Sequence, residues 1–175
     1  MEFSILYAIP RTAMLDSFFL GLTKITGSYA QIWVILGIIL LFFRKTRATG
    51  AAILLSFIGV YIFGQLVLKN LFSRPRPCHI DQAFSLLVSR PSSSSFPSTH
   101  SACSFAAATS IFLNNRKTGA AVFAVAALIA YSRLYLFVHF PTDVLAGIVL
   151  GIVMGVAAVR ICDHIQKKKL GSPHQ

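Results

Sequence analysis

Hydrophobic residues in this chain come in long blocks rather than at every second or every third to fourth position. The blocks run from Tyr29 to Phe43, Ala48 to Leu68, Ser101 to Leu113, Gly119 to Val138 and Val144 to Val159. Runs without a polar face predict helices surrounded by apolar material, and in lipid a helix satisfies its own backbone. Several blocks are shorter than the ~20 residues a crossing usually takes, but polar flanks and snorkelling Arg or Lys side chains extend them. The first 27 residues differ, because Pro10, Arg11, Asp16 and Lys24 interrupt any apolar run. There, Leu15 to Ile25 predicts an amphipathic helix lying at the membrane interface. Glu2 stands where a signal peptide would be basic, and no small-x-small cleavage site follows, so this segment is expected to be retained. The expected fold is an all-α, multi-pass transmembrane bundle of about five spanning helices plus an N-terminal interfacial helix, forming one domain over residues 1–175.

Composition sharpens this picture. With 55% hydrophobic and 12% charged residues among 175, the chain belongs in a membrane. Sixteen Lys and Arg against five Asp and Glu give a formal charge of +11, which in a soluble chain would suggest nucleic acid. In a membrane chain the distribution matters more, and no nucleic-acid partner is expected. Arg44, Lys45 and Arg47 follow the first block, Arg116 and Lys117 the third, and Arg160 with Lys167, Lys168 and Lys169 the fifth. With five spans these fall on one side, which the positive-inside rule makes cytoplasmic, with 160–175 as a basic tail there. The other side still carries Arg11, Lys24, Lys69, Arg74, Arg76, Arg90 and Arg133. That excess works against the topology and points to a separate use. Cys78, Cys103 and Cys162 are an odd number at three depths without a CxxC pair, so neither a disulfide framework nor a cysteine zinc site is expected.

Loops are short except at residues 69–97, on the outer side. That stretch holds SRPRPCHIDQ, the apolar FSLLV and then SRPSSSS, which predicts an ordered turn, a lid and a flexible serine hinge. Gly147, Gly151 and Gly155 form a ridge that lets a neighbouring helix approach closely, and Ala121, Ala124, Ala127 and Ala130 offer a small-residue face to meet it.

Three polar clusters fall on the outer side. KNLFSRPRP carries Lys69, Arg74 and Arg76; FPSTHS carries Ser98, Thr99 and His100; SRLYLFVHFPTD carries Ser132, Arg133, His139 and Asp143. Singly, each has a plain structural explanation: Lys69 as a snorkelling helix end, Arg74 as a headgroup contact, His139 with Asp143 as a helix cap. Arg133 is harder to dismiss, because an unpaired charge in an apolar helix costs ~2.5–3.5 kcal/mol on insertion scales. Of the five acids, Glu2, Asp16 and Asp163 lie away from these clusters in sequence, leaving Asp81 and Asp143. Two carboxylates do not neutralise Lys69, Arg74, Arg76, Arg90 and Arg133, so the missing negative charge is assigned to a ligand. Guanidinium forks, an ammonium and the free N–H groups at a helix start together suit a phosphate. Asp143 follows His139 by four residues, with Pro141 fixing the helix start between them. The carboxylate can hold one imidazole nitrogen, leaving the other as a nucleophile or base.

Taken together, Lys69 with Arg76 and Pro77, then Pro97-Ser98-Thr99-His100, then Ser132-Arg133, His139 and Asp143 resemble the three-part signature of the type 2 phosphatidic acid phosphatase superfamily. The match covers residues 69–143, and the helical layout around it is similar to that of the small membrane members. Thr99 departs from the usual glycine of the second motif, which bears on substrate subclass more than on chemistry. By this resemblance, Lys69, Arg76 and Arg133 would hold the phosphoryl oxygens with Ser98 and the Thr99 and His100 amides. His139 would attack phosphorus, Asp143 would orient it, and His100 would protonate the leaving oxygen and later activate water. No metal or other cofactor is implied.

The resemblance implies a lipid phosphatase opening to the extracytoplasmic face. Small chains of this layout resemble undecaprenyl diphosphate phosphatases, with phosphatidylglycerophosphate, phosphatidate and lipid A as competing substrates. Two rivals stand beside this reading. A metal-dependent hydrolase built on His79, His100, His139, Asp81 and Asp143 is disfavoured by the scarcity of acids. A non-catalytic headgroup-binding or anion-conducting protein would need the cations but not an oriented imidazole.

Overall fold

The computed structural model describes residues 1–28 and 30–170, and every regular element among them is helical. Tyr29, where the first apolar block begins, and residues 171–175 of the expected basic tail lie outside the described residues. The elements are α1 (Glu2–Tyr7), α2 (Ala13–Thr26), α3 (Ile32–Leu41), α4 (Arg47–Val60), α5 (Lys69–Phe72), α6 (Pro77–Ile80), α7 (Thr99–Asn114), α8 (Arg116–Tyr135) and α9 (Pro141–Leu170). α4 continues into α5 through a π-helical stretch, Tyr61–Leu68, before Ser73 ends it in the left-handed region at φ 40°.

Three helical stretches are long and apolar enough to cross a membrane: Arg47–Ile80, Arg116–Tyr135 and Pro141–Lys168. The other two of the five expected spans, α3 and α7, have ten and sixteen residues. Their shortness has different settings. α3 is uniformly apolar, whereas α7 is the axis of the bundle and packs against α4, α8 and α9. Being surrounded by protein, α7 can carry Ser104 and Ser110 in its buried faces. Trp33 Nε1 donates to Ser104 Oγ at 2.9 Å, and Ser110 Oγ donates back to the Ala106 carbonyl at 2.9 Å.

The glycine ridge of α9 meets α7, not the alanine face of α8 as the sequence suggested. A β-carbon at Gly147 would stand 2.5 Å from the Ser98 carbonyl oxygen, and one at Gly151 would overlap the carbonyl of Ala102. The small residues Ala102 and Ala106 on α7 complete this contact, which draws the start of α7 against the start of α9. The Ser98 N–H donates to the Asp143 carbonyl at 3.0 Å across that junction.

The N-terminal region forms two helices, each with a buried face beside an exposed one. Leu6 of α1 is fully buried, and Phe3 packs against Phe137 and Phe140. α2 includes the predicted Leu15–Ile25 segment and leans on the C-terminal end of α8. There the Phe19 and Tyr135 rings pack at a tilt with centroids 4.4 Å apart, and the Tyr135 hydroxyl donates to Asp16 at 2.5 Å. Tyr135 and the residues of the α8–α9 turn supply the docking surface, while Met14, Phe18 and Ile25 of α2 stay exposed, as suits a helix at a membrane interface.

Candidate active site

The three polar clusters converge on one cavity of about 680 Å³, lined by Lys69, Arg76, Thr99, His100, Arg133 and His139, with Leu20, Leu87, Val88 and Val138 among its apolar walls. Each polar side chain arrives on a helix end. Lys69 begins α5, Arg76 precedes α6, Thr99 and His100 form the first turn of α7, and Arg133 lies in the last turn of α8. His139 sits in the tight turn before α9. Phe137 turns the chain there at φ 58°, held by a parallel stack on Phe84 at 3.9 Å.

The cations are buried and tied to neutral groups. Lys69 Nζ donates to the Ser94 carbonyl at 2.6 Å, and Arg133 donates through Nε and Nη2 to Ser132 Oγ and through Nη2 to Thr23 Oγ1. Arg76 donates to the carbonyls of Ser93 and Val138, at 2.8 and 2.9 Å. Neither Lys69 nor Arg133 has a carboxylate in salt-bridge reach among the described residues. Charge this deep without an acid is costly unless a ligand brings the anion.

Donor and acceptor logic fixes the His139 tautomer. Arg76 Nη1 lies 3.0 Å from His139 Nε2, and a guanidinium only donates, so Nε2 carries the lone pair and Nδ1 the proton. Nδ1 faces Asp143 Oδ2 at 3.8 Å, beyond direct hydrogen-bond range. Ser95 fills that gap: its hydroxyl donates to Asp143 Oδ2 at 2.5 Å and sits 3.5 Å from Nδ1. The Phe140 N–H completes the hold on Asp143 Oδ2 at 2.8 Å. Burial lowers the His139 pKa to about 3, with the positive charges of Arg76 and Lys69 adding to the effect and the nearby Asp143 carboxylate opposing it. The imidazole is therefore neutral at pH 7, the form that can attack.

His100 is held from the far wall. Its Nε2 lies 2.9 Å from the Gly27 carbonyl, which can only accept, so Nε2–H is fixed and Nδ1 is the variable nitrogen. Gly27 has φ 72°, a conformation that suits glycine as α2 ends and the chain turns past the site.

Not every residue marked in the sequence reaches the cavity. Ser98 is fully buried: its hydroxyl accepts from Ser101 at 3.0 Å and its amide is used by Asp143, so it braces the α7–α9 junction instead of lining the cavity. Thr99 and His100 do line it, in a helical turn whose amides have no intrahelical acceptor. The serine run is not a flexible hinge. Lys69 and Arg76 grip Ser93 and Ser94, and Ser95 is fully buried on Asp143. The cations that line the cavity themselves order that loop. Glu2 is not remote, since it pairs with Arg74, and Arg74 in turn donates to Asp143 and so is no simple headgroup contact. Asp81 is occupied elsewhere, by the Tyr7 hydroxyl at 2.7 Å. Among the described residues no three His, Cys, Asp or Glu side chains form a cluster that could hold a metal ion. Sequence reasoning missed Ser95, Gly27 and Thr23. Ser95 was hidden inside a serine run, and the other two sit on α2 and its end, where no local pattern tied them to the site.

An imidazole oriented beside buried cations at one end of an apolar helix bundle is an arrangement that suits binding and transfer of a phosphoryl group. The chain belongs to the PAP2 superfamily, whose family model matches residues 49–166, and it is a lipid phosphatase of that family. It is similar to an undecaprenyl-diphosphatase of Sulfolobus acidocaldarius, 31% identical over 150 residues that cover 85% of this chain and 71% of the relative. A lipid A 4'-phosphatase of Porphyromonas gingivalis is 30% identical, over 80% of this chain and 65% of that protein. Among solved structures, the PAP2-type phosphatidylglycerolphosphate phosphatase of Bacillus subtilis superposes with a TM-score of 0.65 at 30% identity, covering 89% of this chain and 80% of that one.

Proposed function

We propose that the chain removes the terminal phosphate of a polyprenyl diphosphate, of which undecaprenyl diphosphate is the first choice, at the extracytoplasmic face and through a phosphohistidine on His139. The observation that carries this reading is the pairing of a lone-pair nitrogen, His139 Nε2, with the buried cations Lys69 and Arg133, which lack a carboxylate partner among the described residues. A phosphoryl group bound by Arg133, Lys69, Arg76 and the first-turn amides of α7 would neutralise them. His139 Nε2 attacks the terminal phosphorus, an N–P bond forms, and the bond from that phosphorus to the oxygen bridging the two phosphates breaks. His100, which takes up a proton on Nδ1 once the anionic phosphate is bound, delivers it to the departing oxygen, and the lipid monophosphate leaves. Water then attacks the phosphohistidine, His100 takes its proton, and inorganic phosphate and neutral His139 are released. Asp143, through Ser95, holds Nδ1–H throughout and stabilises the cation that forms on the ring. The apolar walls at Leu20, Leu87, Val88 and Val138 suit an amphiphile whose tail stays in the bilayer.

A substrate panel tests this. Purified protein in EDTA is expected to release phosphate from undecaprenyl diphosphate, and vanadate is expected to inhibit, since it takes the five-coordinate geometry of phosphoryl transfer. At equal surface concentration the diphosphate should exceed phosphatidylglycerophosphate, phosphatidate and lipid A in kcat/KM. A glycerophospholipid or lipid A in first place would move the substrate but keep the chemistry. No phosphate from any of them would favour a binding or transport role.

Orientation is tested separately. In a Cys162→Ser background, Ser85→Cys is expected to react with an impermeant maleimide from outside the cell and Lys117→Cys only after permeabilisation, following the positive clusters. Reversed labelling would place the cavity in the cytosol and rule out an outer-leaflet substrate.

A further inference from the structure

Arg74 is the cluster arginine that the phosphate cavity leaves unused. Its Nη1 donates to Asp143 Oδ1 at 2.6 Å and to Thr142 Oγ1 at 2.6 Å, while Nη2 pairs with Glu2 Oε2. The other Glu2 oxygen accepts from the Thr142 hydroxyl at 2.7 Å and from its N–H at 3.2 Å. The guanidinium also covers the Phe140 ring at 4.3 Å, and Phe3 of α1 meets that ring edge-on at 5.3 Å. α1, the loop before α6 and the first turn of α9 are thus closed around the Asp143 oxygen that does not face His139.

Asp143 is a fully buried carboxylate whose Oδ2 is held by neutral donors, Ser95 and the Phe140 N–H. Arg74 is the arginine that balances its charge from the Oδ1 side. Yet Arg74 is 28% exposed, so anionic headgroups in the surrounding lipid would compete for it. Glu2 opposes that competition by filling the second arm of the fork, and Thr142 fixes Glu2 in turn.

We propose that Arg74 and Glu2 are positioning residues for the Asp143–His139 pair. Arg74 keeps Asp143 ionised and turned so that Oδ2 serves His139, and Glu2 keeps Arg74 on Asp143 instead of on lipid phosphate. This rests on His139 being the nucleophile as read above.

The test compares kcat and KM of purified protein for undecaprenyl diphosphate, with monodispersity and melting temperature measured for each variant. Arg74→Gln removes charged hydrogen bonds and is expected to lower kcat about 10- to 100-fold with KM nearly unchanged. Arg74→Lys should recover most of that loss, because an ammonium can still serve Oδ1. Glu2→Gln should lower kcat about 3- to 10-fold, the effect of weakening an ion pair that stays partly hydrogen-bonded. The reversed pair Glu2→Arg with Arg74→Glu restores attraction between α1 and the loop but faces Asp143 with a carboxylate, so it should be worse than either single change. A reversed pair with wild-type kcat would make Arg74 a mere tether for α1 and overturn the proposal. So would a raised KM at unchanged kcat in Arg74→Gln, which would make it a substrate ligand. Should Arg74→Gln not be recovered folded, unchanged kcat in Glu2→Gln overturns the proposal alone. His139→Ala, run alongside, separates the two levels: activity retained there sinks the nucleophile assignment itself.

Discussion

Replacing His139 with alanine is expected to reduce turnover of a lipid diphosphate by at least about 10,000-fold, the scale seen when a nucleophile or its orienting partner is removed. The ring offers one lone pair to the cavity, at Nε2, beside the Arg76 guanidinium, whereas His100 enters from the opposite wall and is assigned to proton transfer. Asp143→Asn should fall nearly as far. An amide at that position can present N–H to Nδ1, which would move the ring proton to Nε2 and remove the attacking lone pair. Both losses should appear in kcat with little change in KM, because neither residue is assigned to hold the phosphate before attack. Arg76, 3.0 Å from Nε2, places a phosphate-binding guanidinium beside the attacking nitrogen.

Arg133→Lys is expected to cost about 100-fold in kcat/KM, within the range for lost charged hydrogen bonds. Three of the Arg133 hydrogen bonds go to Ser132 and Thr23, through Nε and Nη2. The remaining arm, Nη1, is available to meet a ligand while the others lock the side chain. Lysine has one ammonium for both tasks. It must leave Ser132 and Thr23 to reach the phosphate, or keep them and forgo it. Arg133→Gln should be more severe, at about 1,000-fold, since charge is lost as well. The comparison is made by steady-state kinetics at saturating and limiting lipid in the same detergent. Equal activity of the wild-type protein and the Arg133→Lys variant would mean that this arginine neutralises the helix end without gripping substrate.

The sequence made the helices and the three clusters legible because each rests on a local signal: unbroken apolar runs, excess cations without acids, and a His–Pro–Asp spacing across a helix start. What it left out depends on contacts distant in sequence. Glu2 was set aside as remote, yet it reaches Thr142 across 140 positions. The serine run looked mobile by composition, and only the approach of Lys69 and Arg76 explains its order. The glycine ridge showed that a close helix partner exists but not which one, because small residues recur on both α7 and α8. Ser98 illustrates the reverse case: a residue inside a recognised cluster whose hydroxyl is spent on Ser101. Spacing along the chain locates a site residue, while the direction of its side chain is set by what packs behind it.

The most direct measurement is a rapid-quench search for the covalent intermediate in the His100→Ala variant. Nitrophenolate leaves without a proton, so transfer from labelled nitrophenyl phosphate to His139 should survive the loss of His100, whereas hydrolysis of the intermediate should not. High substrate concentration offsets weak binding of an aryl phosphate without a lipid tail. The expected result is a labelled protein that is acid-labile and base-stable, with the phosphate mapping to His139 and absent when His139→Ala is added. Label that persists in the double variant, or that maps to Ser98, would contradict a phosphohistidine mechanism at this site.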